Sequence, residues 1–381
     1  MHFQKVKLGT IADITTGKSN VVDSLKDGLY PFYDRSDLVK RSNRYLYDVE
    51  SAIIMPGESS TFLPKMAYGK FDLHQRAYAI FPHNGIYPEY LYYYILYAHD
   101  YFKIVSTGST VASLRLGMFL DMPIQLPTFE NQQKIASILS ALDKKIALNR
   151  QINENLEALA RQLYDYWFVQ FDFPDANGKP YKSSGGEMVY NPILKREIPE
   201  GWENIKLAEL VRLEDSKRIP LSTYERENRK GIYPYYGATG IMDYIDDYLF
   251  NDEIILLAED GSTSDEHGFP IVQYVWGKVW VNNHAHIIYP QNPNHKIYTY
   301  FMLKLIPVKL IETGSIQKKI NQDNLLKYNS IKVPTNILDD FTKIVSPLWR
   351  KKMITTEEIL SLTRQRDELL PLLMNGQVTV E

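Results

Sequence analysis

The chain repeats itself, and the repeat limits what it can fold into. Residues 6–19 (VKLGTIADITTGKS) match 205–218 (IKLAELVRLEDSKR), and 30–38 (YPFYDRSDL) match 233–241 (YPYYGATGI). Residues 69–82 (GKFDLHQRAYAIFP) match 277–290 (GKVWVNNHAHIIYP). Residues 106–127 (STGSTVASLRLGMFLDMPIQLP) match 312–334 (ETGSIQKKINQDNLLKYNSIKVP). The order is preserved and the offset is nearly constant, from Leu8 to Leu207 through Pro127 to Pro334. A period this long describes two domains rather than a solenoid of short repeats.

Each copy ends in a long helical pattern. Ile135, Ile138, Leu142, Ile152, Leu156, Leu159, Leu163 and Tyr166 follow alternating steps of three and four, with Lys145 and Asn149 as polar members of the seam. The start is marked by Pro127-Thr128, with Glu130 in the first turn. Leu338, Phe341, Val345, Leu348, Ile359, Leu362, Leu369 and Leu373 repeat the pattern, interrupted at Lys352, Thr355 and Arg366. Pro347 predicts a kink or a restart in this second helix. A long apolar stripe needs cover, and the partner closest to hand is the other copy's helix, antiparallel because a globular copy separates the two.

Within the copies, short β-like runs such as SAIIMPG and DEIILLAEDG alternate with one helical stretch each. The expected architecture is therefore α+β. A first globular copy (1–127) is followed by a long helix (128–170), a Gly-, Pro- and Ser-rich connection (171–200), a second copy (201–334) and a second long helix with a tail (335–381).

Little in the chain points to chemistry of its own. It has no cysteine, which excludes disulfides and thiolate metal sites, and no apolar run of membrane-spanning length. No secretory leader is evident at the N-terminus, so the cytoplasm is the expected compartment. The net charge of −3 gives no global attraction to nucleic acid, so any such contact must come from local arrangement. Many of the 28 tyrosines fall in clusters, which suits half-buried packing and interfaces.

Ala12-x-x-x-x-Gly17-Lys18-Ser19 satisfies a relaxed phosphate-loop pattern. It lacks a buried strand before it, a good helix after it, and a glycine in the duplicate EDSKR, so a turn with an exposed lysine is the expected outcome. Asp175 and the Asp215-x-Lys217 pair fit a nuclease pattern only loosely. His284 and His286 lack an evident third ligand and predict packing or hydrogen bonding.

Two α+β domains in tandem, each followed by a heptad helix, resemble the specificity subunits of type I restriction-modification systems. The resemblance is carried by LPTFENQQKIASILSALDKKIALNRQINENLEALARQLYDYWFVQFDFP (126–174), GKPYKSSGGEMV (178–189), IPEGWE (198–203) and ELLPLLMNGQV (368–378). It implies two target-recognition domains that read the halves of a split, asymmetric DNA target. It also implies an antiparallel coiled-coil spacer between the halves, and a chain that is not itself catalytic. The expected partners are double-stranded DNA, two modification (methyltransferase) subunits and restriction/motor subunits. No cofactor is expected on this chain, with S-adenosylmethionine, ATP and Mg2+ on the partners. Ile138, Leu142, Lys145, Asn149, Ile152, Leu156, Ile359, Leu362 and Arg366 are the candidates for partner docking.

Candidate DNA contacts follow from residue type and equivalent position. Lys18, Ser19, Lys217 and Arg218 lie on the first loop, and Arg35, Ser36, Tyr236 and Thr239 on the second. Ser109, Thr110 and Arg115 match Ser315, Gln317, Lys318 and Lys319 on a Gly-Ser loop that opens a helical stretch. Backbone N–H groups at such a place favour phosphate, and Arg, Lys and Gln can read base edges. The rival readings are a stand-alone endonuclease and a protein-interaction adaptor with no DNA role.

Overall fold

The structure, a computed structural model, describes residues 3–108, 111–314 and 318–380. The chain divides into two compact units, Met1–Gln151 with Thr355–Glu381, and Ile152–Ile354. Each unit therefore holds one globular copy together with a segment of each long helix.

In the first unit a six-stranded sheet runs in the order Ala12–Thr16, Ala77–Pro82, Tyr47–Pro56, Lys65–Leu73, Tyr30–Tyr33, Lys40–Ser42. Its central register pairs Ile53 with Ile80 and Ile54 with Ala79. Tyr30–Tyr33 joins Lys65–Leu73 in parallel. The second unit repeats the plan as two four-stranded sheets. One runs Val211–Leu213, Ala285–Pro290, Ile254–Ala258, Val272–Val275, and the other Ile241–Ile245, Lys230–Tyr236, Lys278–Val281, Phe250–Asn251. Ile255 pairs with Ile288 and Leu256 with Ile287, the same register as in the first unit. The turn between Val275 and Lys278 carries Gly277 at φ +78°, where the first copy has Gly69 at φ +63°. Only glycine takes this left-handed conformation without strain. The equivalent glycine thus bends one continuous strand in the first copy and separates two strands in the second.

The tyrosine clusters are mostly half-buried, with some members in the core. Tyr90, Tyr93 and Tyr94 of the helix Pro88–Tyr97 are buried, as are Tyr298 and Tyr300 of Lys296–Leu303. Their hydroxyls reach polar partners. Tyr93 donates to Asp143 at 2.7 Å and Tyr300 to Glu157 at 3.0 Å.

Both acceptors lie on the long helix Phe129–Tyr164, which runs against Thr335–Met374. In the first unit Arg366 bonds Asp143 at 2.9 Å and Lys145 meets Glu358 at 3.3 Å, so one helix rises as the other falls. Leu139 and Leu370 share the apolar cluster there. In the second unit Lys352 bonds Glu157 at 2.7 Å, and Tyr164 packs on Phe341. The pairing is antiparallel in each unit.

The seam differs in detail from the expected one. Ile135, Leu139, Ile146, Asn149, Ala160 and Tyr164 are buried, whereas Ile138, Leu159 and Tyr166 are exposed. Lys145 lies outside the seam, half-exposed beside Glu358. Leu139 and Ile146 continue the apolar stripe where Lys145 would break it, so the helix turns that face inward. The second helix is continuous over Thr335–Met374, against the kink or restart expected at Pro347. Pro347 is exposed, and water can satisfy the carbonyl that its missing N–H leaves free. No helix among the described residues is long and apolar enough to cross a membrane.

Phe341 is 1% exposed and packs on Tyr164, Trp167 and Phe168. Phe341→Ala is expected to cost the second unit about 3–5 kcal/mol. Denaturant unfolding followed by tryptophan fluorescence checks this, and a loss under about 1 kcal/mol would show that the helix pairing does not carry the unit.

Candidate nucleic-acid interface

In the first unit one turn, residues 74–76, gathers the loops at an edge of the sheet. His74 N–H bonds Tyr33 O beside the second loop, Gln75 N–H bonds Ser19 O of the first loop, and Arg76 O accepts Gly57 N–H, each at 2.9 Å. The hairpin that follows residue 106 closes through mutual bonds between Thr107 and Ser113, at 3.0 and 2.8 Å. It is fixed to the sheet by Leu114 N–H to Gly57 O at 2.8 Å.

Buried Asp34 organises the second loop. It accepts the Ser36 N–H and hydroxyl at 2.8 and 2.6 Å, and Lys40 at 2.6 Å. Lys65 Nζ bonds Ser36 O at 2.6 Å. Burial pushes the Asp34 carboxyl up, and the Lys40 and Ser36 contacts outweigh it, so its pKa is lowered. The loop is thereby stiff, and Arg35 stands exposed on it. Arg35 and Arg76 converge on Glu58, the latter at 3.0 Å. The Arg35 hydrogen bond, more than any other influence, holds Glu58 below the usual carboxylate range. Two arginines with one shared counter-ion leave net positive charge at this edge.

The second unit rebuilds the same frame. Asn282 N–H bonds Tyr236 O, Glu259 N–H bonds His284 O, and Ile320 N–H bonds Glu259 O at 2.8 Å. Gln273 Nε2, in the place of Lys65, donates to Gly237 O and Ala238 O at 3.1 and 3.0 Å. Asp260 and His284, at 2.6 Å, stand where Glu58 and Arg76 pair in the first copy. Burial raises Tyr236 to about 12, so its hydroxyl stays a neutral donor.

The candidate residues divide accordingly. Lys18, Arg35, Arg115, Lys217, Thr239, Lys318 and Lys319 are exposed, and Ser36 and Tyr236 are half-buried. Lys217, Lys318 and Lys319 pair with Glu214, Glu312 and Glu259 at 2.9, 3.0 and 2.7 Å. Ser109, Thr110, Ser315 and Gln317 lie outside the described residues.

Two candidates are corrected. Ser19 is 2% exposed, donates to Asp72 at 2.6 Å and cannot reach a duplex. Arg218 is bound to Glu259 at 2.6 Å and Ala285 O at 2.8 Å beneath the surface. Asn149, among the docking candidates, is 1% exposed and faces the helix seam rather than an outside partner. Leu142, Ile152, Leu156, Ile359, Leu362 and Arg366 are half-buried.

The glycine of the opening motif has a packing role. A Cβ on Gly17 would stand 1.9 Å from Leu73 O, and the Lys18 and Ser19 N–H groups both bond that same oxygen. These donors are spent on the chain itself and are not free to cradle phosphate.

Asp215, Glu259 and His286 are the one group among the described residues with metal-ligand character, their donor atoms within 4.8 Å of one another. Arg218 and Lys319 already balance the two carboxylates. His286 spends Nδ1 on Asp215 at 2.5 Å and Nε2 on Ile320 O at 2.8 Å. Both ring nitrogens are thereby engaged by groups of the chain itself. The cluster is an ion-pair network beneath the hairpin. Asp175 caps a separate turn through the Asn177 and Lys179 N–H groups, which leaves the nuclease pattern unassembled.

Burial pushes Asp215 up, but His286, the Ile287 N–H and Arg218 more than offset it, and the net shift is downward. Glu259 is likewise lowered against its burial, chiefly by Lys319 and Arg218. A depressed folded-state pKa stabilises above the unfolded value near pH 4, and that stability is lost as pH falls through the folded value. Asp215→Asn is therefore expected to weaken the second unit at pH 7 and to flatten its stability profile below about pH 4. Urea midpoints measured across that range check this, and parallel profiles for wild type and variant would contradict it.

The two copies share much of one backbone hydrogen-bond plan and present different exposed side chains, and comparison with known proteins gives the class of such a chain. The family model for the type I restriction modification DNA specificity domain matches residues 2–158 and 199–361. The type I restriction enzyme MjaIX specificity subunit of Methanocaldococcus jannaschii is 30% identical over 79% of this chain and 72% of its own length. The EcoDI specificity subunit of Escherichia coli is 24% identical over 91% and 80%. The fold matches that of the type I S subunit from M. genitalium, with a TM-score of 0.65, 16% identity and coverage of 98% and 96%. The chain belongs to the type I restriction-modification DNA specificity family, as a recognition component rather than a catalytic one.

Sequence reasoning did not single out Glu58, Arg76 or the Lys65/Gln273 pair. The alignment of the copies held the signal, since Arg76 and His284 each follow a strand that leads into the same turn.

Proposed function

We propose that this chain reads the two halves of a split, asymmetric DNA target, one with each globular copy. One observation carries the reading: a backbone frame of like plan presents Arg35, Glu58 and Arg76 in one copy and Ala238, Asp260 and His284 in the other. A module that must place different side chains against different bases at the same height needs this division between frame and readers. The long helices serve as the ruler for the unread gap between halves. Modification subunits, which bring S-adenosylmethionine and the methyl transfer, dock on the helices, where Ile138 and Leu159 stay exposed. Restriction subunits with ATP and Mg2+ complete the complex, in the cytoplasm.

Arg35→Ala with Arg76→Ala is expected to weaken target binding at least about tenfold and to lower the salt slope by about one for each phosphate no longer neutralised. Titrations of the complex with its methyltransferase on duplex DNA at several salt concentrations check this. Unchanged affinity and slope would remove this edge from the interface.

A further inference from the structure

Glu58 is a brace as well as a shared counter-ion. Its backbone is clamped on both sides: Gly57 O accepts the Leu114 N–H at 2.8 Å, and the Ser59 N–H bonds Ala112 O at 3.2 Å. The carboxylate is less exposed than either guanidinium beside it. Both arginines reach it through Nη1, Arg76 at 3.0 and 3.2 Å. The Nε and Nη2 groups of Arg35 have no partner among the described residues, which leaves one edge of its planar fork open. The Arg35 backbone is held as well, because Asp34 and Lys65 both bind the adjacent Ser36.

The two arginines are not equivalent. Among the influences that keep Glu58 ionised, the Arg35 hydrogen bond is the largest, so Arg35 and Glu58 form an oriented unit with little net charge. Arg76 is the second cation on an acid already matched. It carries the surplus charge on the more exposed side chain, 56% against 41%. Phosphate rewards charge, whereas a base edge rewards a donor fork held in one direction. In the major groove guanine presents two neighbouring acceptors, O6 and N7. Adenine and cytosine each present a donor, and thymine has a single acceptor beside its methyl group. A fork with two N–H donors on its open edge therefore matches guanine.

We infer that Arg35, braced by Glu58, reads a guanine in the half-target bound by the first copy, and that Arg76 meets the phosphate backbone beside it. The inference rests on the proposed DNA-reading function and adds the base that is read. It concerns the first copy alone, because the second has Ala238 at the place of Arg35 and an Asp260–His284 pair at that of Glu58 and Arg76.

The test uses the full chain co-expressed with its methyltransferase. A map of methylated bases gives the split motif, and binding of the complex is then measured on duplexes in which each guanine of the motif is replaced in turn by 7-deazaguanine, which lacks N7. At one guanine the replacement is expected to weaken the wild-type complex at least about fivefold. Arg35→Ala is expected to lose as much on the natural duplex, to lose nothing further on that 7-deazaguanine duplex, and to keep the wild-type salt slope. Arg76→Ala is expected to weaken both duplexes alike and to lower the slope by about one. Should Arg35→Ala unfold, Arg35→Met keeps the stem and removes the donors. A motif in which every guanine tolerates the replacement, or a folded Arg35 variant that remains as sensitive to it as wild type, would overturn the inference and leave the function standing. A map with no split motif that depends on the chain would overturn the function, and the inference with it.

Discussion

In each unit a carboxylate on the first long helix is held between a tyrosine hydroxyl from the globular copy and a cation from the second long helix. Tyr93, Asp143 and Arg366 form one such group, and Tyr300, Glu157 and Lys352 the other. Each acid sits at the edge of an apolar seam, where it joins three elements that would otherwise be linked only by non-directional packing. Hydrogen bonds to charged groups are worth more than neutral ones and have direction. They fix the rotation of the helices as well as their contact. Burial pushes Glu157 up, and Lys352 beside it more than compensates, leaving an ionised group with defined partners.

The same economy governs the reading edge. A carbonyl at the end of a central strand, Gly57 in one copy and Glu259 in the other, accepts the N–H of Leu114 and of Ile320. Beneath it the copies differ. Tyr78 reaches Leu114 O at 3.3 Å, while His286 reaches Ile320 O at 2.8 Å and adds charge from Asp215 and Arg218. Backbone bonds preserve the frame, and side chains are free to diverge above and below it.

Much of this was legible in the sequence. The duplication fixed two like domains, and helical spacing located both long helices to within a few residues. The facing of the first helix was not legible, because two stripes one residue apart both look apolar until Leu139 and Ile146 are set against Lys145. Pro347 misled because a proline breaks a helix only where its lost bond cannot be replaced, and that depends on exposure. At the edge, residue type located cations but not their depth. Ser19 and Arg218 look like contacts until Asp72 and Glu259 are seen to hold them inward. Glu58 was invisible because its importance lies in bringing together Arg35 and Arg76, which are 41 residues apart in the chain.

The most direct measurement is a genome-wide map of methylated bases in the source organism, made with the gene intact and with it deleted. If one split motif, two short specified parts around a fixed unspecified gap, is present in the first map and gone from the second, the chain reads that motif. Exchange of one globular copy should then change only one half. A motif that persists after deletion, in a strain shown to express the partner methyltransferase, would contradict the account.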